Sequence, residues 1–164
     1  MNETTTGTVF LFEAMIQSDW IDYNGHMRDA YFGLVFSLAV DAMQDDVGFD
    51  EAYRQRSGCT IYLLEDHKYY LREVKEGTKV RVETLVLDCD RKRFHLYQRM
   101  FSGGQEAAIC EFMELHVNQL PTPHAEAMPE EIYQRLLQAM PDAVTIDALK
   151  RRSGRIKLKR NPES

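Results

Sequence analysis

Asp22 is the residue of this chain whose type and place suit chemistry most directly. It lies in Trp20-Ile21-Asp22-Tyr23-Asn24-Gly25-His26-Met27-Arg28-Asp29-Ala30-Tyr31, where an irregular link runs into a long helical pattern. A helix N-terminus presents unpaired backbone N–H groups and the positive end of the helix dipole, so it favours a carboxylate. The same N–H groups can receive the oxygen of a polarised carbonyl, which would set an acid beside an oxyanion site. Such a pair suits attack on an activated carbonyl, either by the carboxylate or by a water that it deprotonates. Gly25 would let a ligand approach the backbone closely. His26 would contact the reacting group or orient Asp22, although a histidine at a helix start also serves simply as a hydrogen-bonding neighbour. The plainer reading of Asp22 is a helix N-cap, a role that Asn24 fills equally well.

Other chemistries find little support. No His, Cys or Asp cluster has zinc spacing, so no metal site is implied, and there is no Gly-x-Ser-x-Gly elbow, P-loop or dinucleotide fingerprint. Cys59, Cys89 and Cys110 are odd in number and far apart, which argues against a disulfide framework and suits a reducing cytoplasm. The first residues lack a basic start followed by an apolar stretch, and no run is long enough to cross a bilayer, so no membrane association is expected. The net charge of −6 is uneven: seven Lys or Arg and one acid follow Leu149, leaving about −12 on the body. An acidic body repels a nucleic-acid backbone, and the basic end reads as a solvated terminus.

The positioning elements are legible in the spacing. At 164 residues the chain fits one domain. Val9 to Gln17 reads as a strand and Ser18 to Asn24 as a link. From Gly25 to Val47, residues Met27, Tyr31, Leu34, Val35, Leu38, Ala42 and Met43 recur at helical steps, and Gly48 supplies a C-terminal cap. Phe32, Phe36, Ala39 and Val40 widen that apolar face, so the helix is expected to be central and wrapped by a sheet. Four strands are expected at Thr60 to Arg72, Lys79 to Asp88, Arg93 to Phe101 and Ala107 to Val117, with glycine or polar turns between them. A short helix is expected from about Pro129 to Met140. The order is α+β, a helix on one antiparallel sheet.

The pattern Asp22, Gly25, His26, Met27 and Tyr31 resembles the motif of the 4-hydroxybenzoyl-CoA thioesterase family of hot-dog proteins, and the element order extends the resemblance over nearly the whole chain. Arg28 and Asp29 stand where many relatives have two asparagines. The resemblance implies a curled sheet of about five strands around the long helix and a thioesterase domain over residues 1–148, which leaves the basic tail read from the charge pattern over 149–164. It implies hydrolysis of an acyl-CoA thioester, with Asp22 attacking the carbonyl or activating water, and a backbone N–H near Arg28 and Asp29 polarising the carbonyl oxygen. No cofactor is implied beyond the CoA of the substrate. Sites between the subunits of a homodimer or homotetramer are implied as well.

Together with Gly58 to His67 and Glu111 to Val117, the motif also looks like the betainyl-CoA thioesterases of carnitine breakdown, whose ester bears a trimethylammonium. Trp20, Tyr23, Tyr31, Asp29 and Glu65 thereby become candidates for a cation pocket, and His67 a candidate lining residue. The aromatics serve equally as packing. The basic tail gains a CoA phosphate as an alternative partner. Hydratases of the same fold resemble this chain less, since Asp22-Tyr23-Asn24-Gly25-His26 lacks their proline and places histidine one residue early. The alternative to an enzyme is a non-catalytic hot-dog module that binds an acyl-CoA or a protein partner, against which the presence of Asp22 argues.

Overall fold

Phe10, Phe12 and Ala14 are half-buried while Leu11, Glu13 and Met15 face solvent, the alternation of a strand with one covered face, and Phe10–Met15 forms β1. The computed structural model describes residues 6–159; residues 1–5 and the end of the basic segment, 160–164, lie outside the described residues. A 3-10 turn at Ser18–Trp20 leads through a tight loop into α1, Asp29–Val47.

The helix begins four residues later than its apolar period suggests. The N–H of Met27 donates to the Val74 carbonyl at 2.7 Å and that of Arg28 to the Trp20 carbonyl at 3.0 Å, so both donors are spent on residues outside the helix. Gly48 ends the helix as expected, in the left-handed region at φ 112° with its N–H on the Gln44 and Asp45 carbonyls. The buried face is Phe32, Val35, Phe36, Ala39, Val40, Met43 and Val47, whereas Leu34 and Leu38 are exposed. The stripe expected to face the core is thus rotated, and the residues expected to widen it are its centre.

Four long strands follow: β2 (Cys59–Tyr70), β3 (Lys79–Cys89), β4 (Arg93–Ser102) and β5 (Gln105–Asn118). With β1 they form one antiparallel sheet in the order β1-β3-β4-β5-β2, and a two-residue strand, β6 (His124–Ala125), adds to β5. Register shifts at Leu63/Glu65, Val86/Asp88 and Met100/Phe101 bend these strands, and bending lets the sheet curl over α1. Gln98, fully buried in β4, fixes helix to sheet by donating to the Phe36 carbonyl at 3.3 Å and to Thr84 Oγ1 at 2.9 Å. Among the described residues no helix is long and apolar enough to cross a membrane.

Two short helices appear where none is expected: α2 (Glu51–Ser57) and α4 (Ala143–Ala148), flanking the expected α3 (Glu130–Ala139) in sequence. Each begins at an aspartate N-cap, Asp50 accepting from the Tyr53 N–H at 2.8 Å and Asp142 from the Thr145 N–H at 2.7 Å. The basic segment also departs from the solvated terminus expected of it. Ile156 and Leu158 bury against Met113 on the face of the sheet opposite α1. The Arg152 guanidinium and the Ser153 N–H meet the buried Glu111 carboxylate at 3.0 and 2.7 Å, and His95 Nε2 lies 2.8 Å from its other oxygen. Burial alone would raise the Glu111 pKa; His95, Ser153 and Arg152 outweigh it and hold the group below the usual carboxylate range.

Candidate active site

The loop before α1 is a small hairpin. Ile21 bridges Met27, the Asp22 N–H donates to the His26 carbonyl at 2.9 Å, and the Gly25 N–H returns to the Asp22 carbonyl at 3.0 Å. Gly25 takes φ 79°, which its place in this turn requires and which side-chain-bearing residues rarely adopt. Nothing lies within 4 Å of where its Cβ would be, so the glycine serves the turn as well as leaving open space above it.

Asp22 is half-buried and does not cap the helix. Its Oδ1 accepts the N–H groups of Asn24 at 2.8 Å and His26 at 3.3 Å, while its Oδ2 has no hydrogen bond among the described residues. The N-cap of α1 is Arg28, and its side chain makes no capping bond. Two strand steps separate Asp22 from the level of Arg28, about 7 Å at the rise of an extended chain. Asp22 and the start of α1 are therefore set apart by about 7 Å along the hairpin.

The expected donor is a backbone N–H near Arg28 and Asp29, and these two positions differ. The Arg28 N–H is occupied by the Trp20 carbonyl, which removes it as an oxyanion donor. Asp29, as the first residue of α1, keeps an N–H with no partner inside the helix. The His26 imidazole turns from Asp22 to Glu73, with Nε2 2.9 Å from Oε2, so His26 orients Asp22 through its main chain. Glu73 was not singled out from sequence; its loop position carries no periodic signal.

A cleft of about 350 Å³ adjoins the hairpin, lined by His26, Asp29, Phe32, Tyr70, Arg72 and Glu73. Asp22 stands outside its wall within one chain. Trp20 and Tyr31 are half-buried and stack on each other at 5.5 Å between ring centroids and 14° between planes. Tyr23, at 94 % exposure, projects from the hairpin tip into solvent. Glu65 and His67 pair in register with Met113 and Glu111, both on the face away from α1, so these two side chains do not join the hairpin site. Asp66, Lys68 and Tyr70 alternate with them and face α1. Of the candidates for a cation pocket, the structure stacks Trp20 on Tyr31, sets Asp29 in the cleft beside the hairpin, and separates Tyr23 and Glu65 from them.

A second cavity, about 340 Å³, opens between α1 and β2, with Asp41, Asp66 and Glu114 in its wall. Sequence reasoning passed over these acids. The available signal was Glu114 itself, a carboxylate inside the apolar run Phe112-Met113-Glu114-Leu115, where a charge is rarely buried without purpose.

Known proteins resemble the chain in sequence and in fold. A family model described as the thioesterase-like superfamily matches residues 16–136. The chain is 41 % identical over 127 residues to a betainyl-CoA thioesterase of Pseudomonas aeruginosa, covering 76 % of this chain and 79 % of that protein. It is 36 % identical over 127 residues to an L-carnitine dehydrogenase/betainyl-CoA thioesterase of Agrobacterium fabrum, covering 77 % of this chain but only 26 % of that longer protein. Among solved structures, a Staphylococcus aureus protein in complex with CoA superposes with a TM-score of 0.78 at 28 % identity, over 84 % of this chain and 89 % of that one. A protein of Pseudomonas putida KT2440 superposes with a TM-score of 0.73 at 32 % identity, over 94 % and 97 %. The chain thus belongs to the thioesterase-like superfamily and has the hot-dog fold.

Proposed function

We propose that the chain hydrolyses an acyl-CoA thioester to a small carboxylic acid and CoA, with Asp22 as the reacting carboxylate and betainyl-CoA as the ester. The observation that carries this reading is the state of Asp22: one oxygen pinned by two backbone N–H groups, the other unpartnered, beside the open N-terminus of α1. Water adds to the thioester carbonyl as its proton passes to Asp22, and the oxyanion takes the Asp29 N–H. Collapse then breaks the C–S bond, and the proton returns from Asp22 to the CoA thiolate. In the covalent form of the reaction Asp22 attacks first, giving an acyl anhydride that water opens to the same products. The 41 % identical relative supports betainyl as the acyl group.

CoA enters as part of the substrate, and no further cofactor is proposed. The working unit is a homodimer, with a homotetramer as the next order of assembly. Strand β2 supports this: it pairs with β5 on one edge only, and Leu63, Leu64, Tyr69 and Tyr70 are exposed along it, as are Leu34 and Leu38 on α1. The free, buried thiols of Cys59 and Cys110 suit a cytoplasmic setting.

The test is a panel of CoA esters followed by free-thiol release. Betainyl-CoA is expected to turn over more than tenfold faster than 3,3-dimethylbutanoyl-CoA, which has the same shape without the charge. Equal rates would remove betainyl as the acyl group, and no release from any ester would favour the non-catalytic module.

A further inference from the structure

Glu114 is 4 % exposed on β5, and its register partner Phe94 belongs to the core that packs on α1, so its carboxyl points to the helix side of the sheet. Among the described residues it has neither a hydrogen bond nor an ion pair. Burial first, then the charges of Asp41 and Asp66, push its pKa up to about 7. Leaving such a group unpaired in a core is costly, and an amide or a leucine of similar size would avoid the cost. The carboxyl looks into the cavity between α1 and β2, whose wall includes Ser37, Asp41, Ile61, Asp66 and Phe112. Burial also raises the Asp41 pKa, with Arg54 acting against it and Asp45 with it. Among the described residues the one cation in the wall, Lys68, is engaged by Asp66, which leaves Glu114 and Asp41 without a counter-charge inside the cavity.

The missing counter-charge has a definable chemistry. Among the described residues no three acidic, thiol or imidazole groups come together as metal ligands. Beside the acids the wall mixes Val40, Ile61 and the Phe112 ring with Ser37, Gln44 and Lys68, whose Nζ lies 5.9 Å from the centroid of the Phe112 ring, and its volume falls within the range of small-molecule sites. An organic cation whose charge is spread over methyl groups fits both properties, because it tolerates apolar and aromatic contact and needs no directed hydrogen bonds.

We infer that this cavity is a cation subsite in which Glu114 and Asp41, with Phe112 and Ile61 as apolar wall, hold the quaternary ammonium head of the acyl group. The inference rests on the thioesterase reading above and supplies its specificity residues. Asp41 lies twelve residues past the start of α1, about 18 Å at the helical rise, whereas carbonyl carbon and nitrogen of a betainyl group are two bonds apart. The Asp22 that meets an ester seated here is therefore that of a second copy. Antiparallel pairing of two β2 edges about a two-fold axis sets the two α1 helices antiparallel, with the Asp22 end of one beside the Asp41 end of the other.

The experiment uses the full chain with Glu114→Gln and Asp41→Asn. The readout is the ratio of kcat/KM for betainyl-CoA to that for 3,3-dimethylbutanoyl-CoA. Wild type should favour the charged ester, and Glu114→Gln should cut the ratio at least tenfold, chiefly through KM. A ratio unchanged in Glu114→Gln overturns the subsite while leaving the thioesterase reading intact; a wild-type ratio near one overturns betainyl as the substrate and the subsite with it. Calorimetric titration with tetramethylammonium chloride checks the site without turnover: wild type should bind at least tenfold more tightly than Glu114→Gln, and equal binding overturns the assignment.

Discussion

The backbone N–H of His26 donates to Asp22 Oδ1 at 3.3 Å, while the His26 imidazole points away to Glu73. Main chain rather than side chain thus holds the carboxylate in place. His26→Ala keeps the N–H and should lower kcat/KM by less than about tenfold, well short of the loss expected when a general base is removed. Steady-state kinetics with one CoA ester decide it: a His26→Ala loss of a thousandfold would place the imidazole in the reaction.

Gly25 sits at φ 79° in the turn that aims Asp22, with open space where a side chain would stand. Gly25→Ala should cost about 1 kcal/mol through backbone strain alone, and Gly25→Asn less, since asparagine tolerates the left-handed region. Chemical denaturation measures both. Equal stability of Gly25→Ala and wild type would mean that the turn relaxes without penalty.

Glu114 makes stability pH-dependent. Its pKa rises from 4.5 to about 7 on folding, so between these values the native state holds a proton that the unfolded chain has lost. Stability from this group is complete below about pH 4.5, falls as pH climbs toward 7, and stays reduced above, by roughly 3 kcal/mol at most. Glu114→Gln should melt higher than wild type at pH 8 and alike at pH 4.5. A thermal-melting difference that is the same at both values would contradict the buried, unpartnered state of this carboxyl.

The docked basic segment gives the opposite sign. Glu111 is held below its ordinary pKa on folding, so its contribution is present above about pH 4.5 and lost as the pH falls through the native value. Arg152→Ala should destabilise the protein by about 1–3 kcal/mol at pH 7, and by less in acid. Urea unfolding at the two pH values reads the difference; no loss at pH 7 would mean that Ser153 and His95 suffice to anchor the segment.

Much of this architecture was legible because strand and helix periods are local. Phe10 to Met15 alternate, Gly48 follows the last helical step, and glycines mark the β4–β5 turn, so element order could be read directly. What was misread depends on distant partners. Met27 continues the helical period of α1, yet its N–H bonds to Val74, a strand-like contact invisible in the local pattern. Leu34 and Leu38 have helical spacing too, but only packing decides which side of α1 meets the sheet. Glu65 is a candidate as an acid for a cation and His67 only if its face of the strand looks toward the partner's helix, whereas the two-residue alternation of β2 and its irregularity at Leu63/Glu65 decide which face they share. Asp22 was found from its neighbours, and the structure changed its partner from a helix end to a hairpin.

The most direct measurement is thiol release from betainyl-CoA by wild type and by Asp22→Asn under identical conditions. The account predicts steady release by wild type and a loss of at least about a thousandfold in the variant, with the fold intact by circular dichroism. Hydrolysis by Asp22→Asn at the wild-type rate would contradict it.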